Sequence, residues 1–152
     1  KMKIIKFFLI LLLITITSCG YKPLFSKKGK VNYSITEYDL KGEKLINKKI
    51  ITLINTINGD DSINLYTLEM VSEKKKETLA KDSEGNSSIF RSTINVDLVL
   101  RDGKKIIKKE KFSSSFSYNN IKNKFDLSQY QKNVEDILIN KISDEILMFL
   151  SS

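Results

Sequence analysis

Val31, Tyr33 and Ile35 alternate with Asn32, Ser34 and Thr36, a two-residue period that predicts a half-buried β-strand. Past Gly42 the period lengthens, and Ile46, Ile50, Leu53, Ile54 and Ile57 fall on one helical stripe that Asn58-Gly59 should close. Alternation then returns three times. Tyr66, Leu68 and Met70 predict a second strand running into Glu73-Lys74-Lys75-Lys76-Glu77; Ile94, Val96, Leu98 and Leu100 predict a third; Ile106, Phe112, Phe116 and Tyr118 predict a fourth. The polar stretch from Lys81 to Ser88, with Gly85-Asn86 inside it, reads as a long hairpin connection. Val134, Ile137, Leu138, Ile142, Ile146 and Phe149 make a second helical stripe, which Ser128 and Gln131 should open as a capping box.

Register decides how the third and fourth strands turn around Asp102-Gly103. A two-residue Asp-Gly loop would pair Arg101 with Lys104 and set even-numbered residues beside odd ones, turning Phe112, Phe116 and Tyr118 away from Ile94 and Val96. A three-residue loop, Arg101-Asp102-Gly103, with Gly103 in the left-handed conformation, keeps even beside even. The bulged three-residue hairpin is therefore expected, with Lys109, Lys111, Ser113, Ser115 and Ser117 on the wetter face. The element order is strand, helix, strand, strand, strand, helix (βαβββα), and both helices are amphipathic. The predicted fold class is α+β: a two-layer sandwich whose mainly antiparallel four-stranded sheet is covered on one face by both helices.

The N-terminal residues follow a different logic. Lys1, Lys3 and Lys6 form a basic start, Phe7 to Ile14 is unbroken apolar sequence, and Thr15, Thr17 and Ser18 interrupt far short of the roughly 20 residues a membrane-spanning helix needs. The run ends at Ile16-Thr17-Ser18-Cys19, a lipobox pattern of one aliphatic and two small residues before the only cysteine. Cys19 is expected to carry a thioether diacylglycerol and, once the signal is removed, an N-acyl chain. Each buried acyl methylene adds about 0.8 kcal/mol of membrane affinity, so a multiply acylated Cys19 anchors the domain permanently. Gly20 stands where aspartate would direct retention in the inner membrane, which favours the outer membrane. Met2 is expected to be the initiating residue. The boundaries are a cleaved lipoprotein signal peptide over 1–18, a lipidated tether over 19–29 containing the only proline, Pro23, and a single α+β domain over 30–152.

The formal charge of +8 falls to +5 once Lys1, Lys3 and Lys6 leave with the signal, since no acidic residue leaves with them. Most of the remaining lysines read as solvated surface charge. As a set they favour an anionic partner, and for an exported lipoprotein that is a phosphorylated glycolipid, not nucleic acid. With no histidine and a single cysteine, zinc sites, Cys-His pairs, Ser-His-Asp triads and an internal disulfide are outside this inventory. Two carboxylate pairs remain: Asp60-Asp61 beside Gly59 in a turn-like segment, and Glu135-Asp136 on a helical polar face. Both read as structural, so neither a catalytic residue nor a metal ligand is expected.

Cys19 followed by Gly20-Tyr21-Lys22-Pro23-Leu24-Phe25 is similar to the opening of the LPS-assembly lipoproteins, the LptE family. Ser117-Tyr118-Asn119, leading into a long final helix, also resembles the corresponding stretch of that family. The resemblance implies a βαβββα domain with no enzymatic activity and no cofactor beyond the acyl chains on Cys19. It implies a lipid-anchored protein on the periplasmic side of the outer membrane, plugging an LptD-like β-barrel and helping lipopolysaccharide reach the outer leaflet. Candidates for meeting lipopolysaccharide phosphates are Lys74, Lys75 and Lys76 at the end of the second strand, Arg91 near the third, and Arg101, Lys104 and Lys105 at the Asp-Gly hairpin. A generic outer-membrane lipoprotein adaptor or scaffold of another envelope complex is the alternative, and a small hydrolase ranks last. Replacing Cys19 with serine is expected to abolish lipid attachment; fatty-acid labelling that still found a mature, lipid-bearing chain in the membrane fraction would overturn the lipobox reading.

Overall fold

The computed structural model describes residues 33–58 and 65–152. The signal segment, Cys19, the tether, Val31 and Asp60-Asp61 lie outside the described residues. Along the chain come β1 (Ser34–Gly42), α1 (Lys44–Ile54), β2 (Leu65–Lys81), β3 (Ser87–Asp102), β4 (Lys105–Asn119) and α2 (Lys124–Ser151). The sheet has four strands in the order β1-β2-β3-β4. It is mixed: β1 runs parallel to β2, and the other two pairings are antiparallel. Parallel neighbours need a crossover rather than a hairpin, and α1 supplies it. Both helices lie on one face, over a core that includes Ile46, Ile50 and Ile54 of α1, Leu68 and Met70 of β2, Ile94, Val96, Leu98 and Leu100 of β3, and Ile142 and Ile146 of α2.

β1 meets α1 and β2 at a tight polar node. Gly42 has φ of 89°, in the left-handed region that side chains avoid, and a Cβ built on it would sit 1.8 Å from the Ser72 carbonyl oxygen. Beneath it the Ser72 hydroxyl donates to Asn47 Oδ1 at 2.7 Å and accepts from the Glu43 N–H at 3.0 Å. The Asn47 amide donates to the Lys41 carbonyl at 3.1 Å. Asn47 and Ser72 are both buried, and this mutual bonding offsets the cost of taking polar groups out of water. At the far end of α1, Asn58 clasps β1 by accepting from the Ile35 N–H at 2.8 Å and donating to the Ile35 carbonyl at 3.1 Å.

The other end of the sheet is fastened to the C-terminus of α2. Lys108 donates to the Phe149 carbonyl at 2.9 Å, placing a cation where the helix dipole is negative. The Tyr33 hydroxyl donates to the Leu150 carbonyl at 2.7 Å. Burial, reinforced by neighbouring Tyr66, pushes the Tyr33 hydroxyl up to about 12, which keeps it a proton donor. Tyr38, also raised by burial, donates to Asn55 Oδ1 at 2.7 Å.

Several expectations are corrected. The β3–β4 loop is the two-residue Gly103-Lys104, closed by an Asp102–Lys105 pair, with Gly103 at φ 55°. The extra residue sits one step further on: Arg101 pairs with Ile106 and Leu100 with Lys108, so Ile107 is bulged and the even-beside-even register is recovered inside the strand. The three-residue geometry occurs in the other hairpin. There the Asp82 N–H donates to the Asn86 carbonyl at 2.8 Å around Ser83, Glu84 and Gly85 (φ 86°), and Asp82 Oδ1 accepts from the Glu84 and Asn86 N–H groups. That connection, expected over Lys81 to Ser88, is tightened to Asp82 to Asn86, because Lys81 and Ser87 still pair in the ladder.

On β4, Phe112 and Tyr118 are buried as expected, but Phe116 keeps 45% of its surface and Ile106 keeps 48%, because among the described residues β4 is an edge strand with no neighbour beyond it. α2 starts earlier than the capping box implied: Asn123 is the N-cap and accepts from the Phe125 N–H at 2.9 Å. Its buried side is broader than the predicted stripe, taking in Ile139, Ser143, Leu147 and Leu150, because the helix packs on α1 as well as on the sheet; Ile137 is 63% exposed. Gly42→Ala is expected to destabilise the fold by about 2–4 kcal/mol through left-handed strain and collision with Ser72. An unchanged urea-unfolding midpoint would show that this close approach does not hold the crossover.

Candidate functional site

The structure divides the basic residues singled out by sequence into three places. Lys74 and Lys76 are even-numbered and emerge on the helix side of β2, whereas Lys75 and Arg91 lie on the open side. Arg101, Lys104 and Lys105 gather at the β3–β4 hairpin, roughly 30 Å from Ser92 along β3 at about 3.3 Å per residue. Most of these charges already have partners. Lys75 pairs with Glu73 at 3.1 Å, Arg101 with Glu69 at 2.6 Å, and Arg91 reaches the Ser117 hydroxyl at 3.5 Å. Lys104 and Lys105 are exposed, and among the described residues neither meets a carboxylate. The hairpin tip thus carries two lysines not committed to a carboxylate among the described residues, while Arg101 is committed to the sheet.

Lys74 and Lys76 line a cavity of about 170 Å³ between the sheet and the first half of α2. Ser92 and Ile94 of β3 and Tyr118 of β4 form its floor, and Gln131, Glu135 and Leu138 of α2 form its roof. Lys74 donates to Glu135 at 2.9 Å, which ties β2 to the helix across the opening. The Lys76 ammonium lies 4.3 Å from the centre of the Phe90 ring. On the floor the Ser92 and Tyr118 hydroxyls are 3.2 Å apart, and Tyr118 stacks edge-on against Tyr130 of α2 at 5.6 Å. Gln131 Nε2 is buried, and among the described residues it has no hydrogen-bond partner. This recess has mixed walls, with the Lys74 and Lys76 ammonium groups on the β2 side and the Glu135 carboxylate on α2. Its lysines and hydroxyls can donate hydrogen bonds to an anionic or hydroxylated group.

Glu135 and Asp136, adjacent in sequence, turn to different neighbours: Glu135 to Lys74 and Asp136 to Lys49 of α1. They serve as two separate ties and not as a shared acid–base pair. A shallower groove of about 560 Å³ runs between the helices beside the second tie, with Leu45, Lys48, Thr52 and Leu53 on one wall and Asn140 on the other. Among the described residues no helix is long and apolar enough to cross a membrane. Sequence reasoning missed Phe90, Ser92 and Gln131. The alternation of Ile94 and Val96 carried back along β3 reaches Ser92 and Phe90, but the role of Gln131 was hidden by its resemblance to a capping residue.

The geometry defines a one-sided βαβββα sandwich, and this is the fold of bacterial lipoproteins of the rare lipoprotein B type. The rare lipoprotein B of Shewanella oneidensis aligns with a TM-score of 0.57 and 16% identity over 74% of this chain and 92% of that one. A minor lipoprotein of Acinetobacter baumannii aligns at 0.63 with 12% identity, over 80% and 92%. Lipoprotein B of Nitrosomonas europaea aligns at 0.58 with 14% identity, over 81% and 87%. At such identities the likeness is one of fold. No protein-family profile matches the sequence, and no curated protein matches it. For the tie across the cavity, a double-mutant cycle of Lys74→Met and Glu135→Gln is expected to give a coupling of about 0.5–1 kcal/mol in urea unfolding. A coupling of zero would remove this pair as the link between β2 and α2.

Proposed function

We propose that this chain is an outer-membrane lipoprotein, anchored through Cys19 on the periplasmic side, that partners an LptD-like β-barrel, plugs its lumen and assists lipopolysaccharide assembly in the outer leaflet. The observation that carries the reading is the fold shared with rare lipoprotein B structures, found in a chain whose own sequence offers a lipobox cysteine followed by Gly-Tyr-Lys-Pro-Leu-Phe. The surface chemistry fits a water-lined lumen. The open face of the sheet carries cross-strand polar pairs beside exposed Val71: Glu69 with Arg101, Asp97 with Lys111 at 2.8 Å, and Ser113 donating to Asn95 at 2.7 Å. Such a face stays wetted in a polar channel and needs no further protein layer over it.

The role is one of binding and assembly, without catalysis. Lipopolysaccharide would be met through its phosphates by Lys104 and Lys105 at the hairpin tip, and by Lys76 at the rim of the cavity. Lys74, Lys75, Arg91 and Arg101 would act secondarily, since each is already bonded within the sheet or to α2. Mild-detergent capture of the tagged full-length chain from outer membranes is expected to recover a large LptD-like barrel in stoichiometric amount; recovery of a different envelope complex would transfer the role to the adaptor reading. Lys104→Gln with Lys105→Gln, leaving Arg101 on Glu69, is expected to weaken lipopolysaccharide binding by roughly tenfold. Unchanged affinity would remove the hairpin tip as the contact.

A further inference from the structure

β4 ends the sheet, and among the described residues no strand pairs with its outer edge. Two hydrogen bonds reveal which backbone groups that edge offers. The Asn120 N–H donates to the Ser88 carbonyl at 2.8 Å, so even-numbered residues turn their backbone groups toward β3. The Lys111 N–H instead donates to the Glu110 side chain at 3.2 Å. The two orientations alternate along an antiparallel strand, so Ser113, Ser115 and Ser117 present their N–H and C=O groups outward.

Sheet edges are normally guarded against edge-to-edge pairing by lysines, prolines or bulges. The first half of β4 is guarded in this way by Lys105, Lys108, Lys109, Lys111 and the bulge at Ile107. From Phe112 to Asn119 the sequence is Phe-Ser-Ser-Ser-Phe-Ser-Tyr-Asn, with no charge and no proline. Phe116 lies here, on the helix side of the sheet, with 45% of its surface exposed.

This unguarded half reads alike in both directions about Ser114, with Ser113 and Ser115 flanking it and Phe112 and Phe116 outside them. Two copies of the strand, antiparallel about a two-fold axis at Ser114, oppose Ser113 to Ser115 and Lys111 to Ser117 of the second copy. All of these are outward-facing residues, so the register forms about eight main-chain hydrogen bonds. On the helix side Phe116 comes opposite Phe112 of the second copy, so that the exposed Phe116 ring lies along the seam. No like charges oppose: Glu110 faces Tyr118, and Lys109 faces Asn119. We infer that β4 docks edge to edge on β4 of a second copy of this chain, with the two-fold axis at Ser114, joining two four-stranded sheets into one of eight strands. The pairing is a property of the chain alone and does not depend on the barrel reading.

Sedimentation of the full-length chain in mild detergent tests this, and a concentration-dependent dimer is expected by about 100 µM, typical of a modest interface. S113K/S115K sets lysine against lysine twice and is expected to weaken the dimer at least tenfold; S113E/S115E is expected to do the same with acids. Both positions are exposed on the open face, so the core is untouched. Mixing the lysine and glutamate variants sets opposite charges together and is expected to restore the dimer. Ser115→Pro removes one outward N–H and no bond to β3, and is expected to leave a monomer with an unchanged circular dichroism spectrum. A chain monomeric at the highest concentration, a dimer indifferent to the lysine pair, or mixed variants that stay apart would each overturn the inference.

Discussion

Every element of this fold answers to one condition: the even-numbered residues of β2, β3 and β4 must share the face that the helices cover. A strand has a side-chain period of two, so a slip of one residue anywhere would exchange the buried and exposed sets of a whole strand. Leu68 opposite Leu100, Met70 opposite Leu98, and Val96 opposite Phe112 show the condition met across both antiparallel pairings. Where the chain departs from strict pairing, the departure protects this parity. The two-residue Gly103-Lys104 turn alone would set even beside odd, and the bulge at Ile107 corrects it within the next pair. β1 makes a similar correction: Ile35 pairs with Tyr66, the register shifts before Glu37, and from there Tyr38 pairs with Leu68.

The same condition explains where polar side chains are spent. A sheet covered on one side is closed at its ends, not over its open face, and the closures use hydrogen bonds to backbone groups that would otherwise go unmet. Lys108 and Tyr33 approach the last carbonyls of α2 from opposite edges of the sheet, while Ser72 and Asn47 fill the corner where β1 passes into α1. Lys108 follows directly after the bulge. A residue placed there to complete a helix end is positioned by the same correction that keeps Phe112 in the core.

Much of this architecture was legible in the sequence, because it is written in periods of two and of about 3.6 that survive without knowledge of the partner elements. The order of elements, the shared helix face and the buried positions of β3 could be read in this way. What stayed hidden depends on contacts between distant segments. The Gly103 conformation was anticipated, yet the placement of the extra residue was not, since loop and bulge yield the same parity and only local geometry separates them. Ile137 looked like part of the α2 stripe until the helix was seen to serve two neighbours at once. The candidate basic set was the least legible. A run such as Lys74-Lys75-Lys76 looks like one patch in sequence, but in a strand its members go to opposite faces, and Glu135 and Glu73 each take one of them.

This separation of faces constrains what the molecule can do. The helix side is consumed by the core, and the acids that flank it, Glu135 and Asp136, are turned into ties to Lys74 and Lys49. What remains available is peripheral: a polar open face, a hairpin tip with two uncommitted lysines, a small recess beneath α2, and the uncharged half of an edge strand. Surfaces of this kind offer charge and hydrogen bonds to a partner. A lipid anchor at Cys19 would keep these surfaces within a tether's reach of the membrane, where even weak contacts gain from high effective concentration. Anchoring and one-sided packing are in this sense complementary. An anchor would supply proximity, and the uncovered side of the sheet supplies the surface that proximity would make useful.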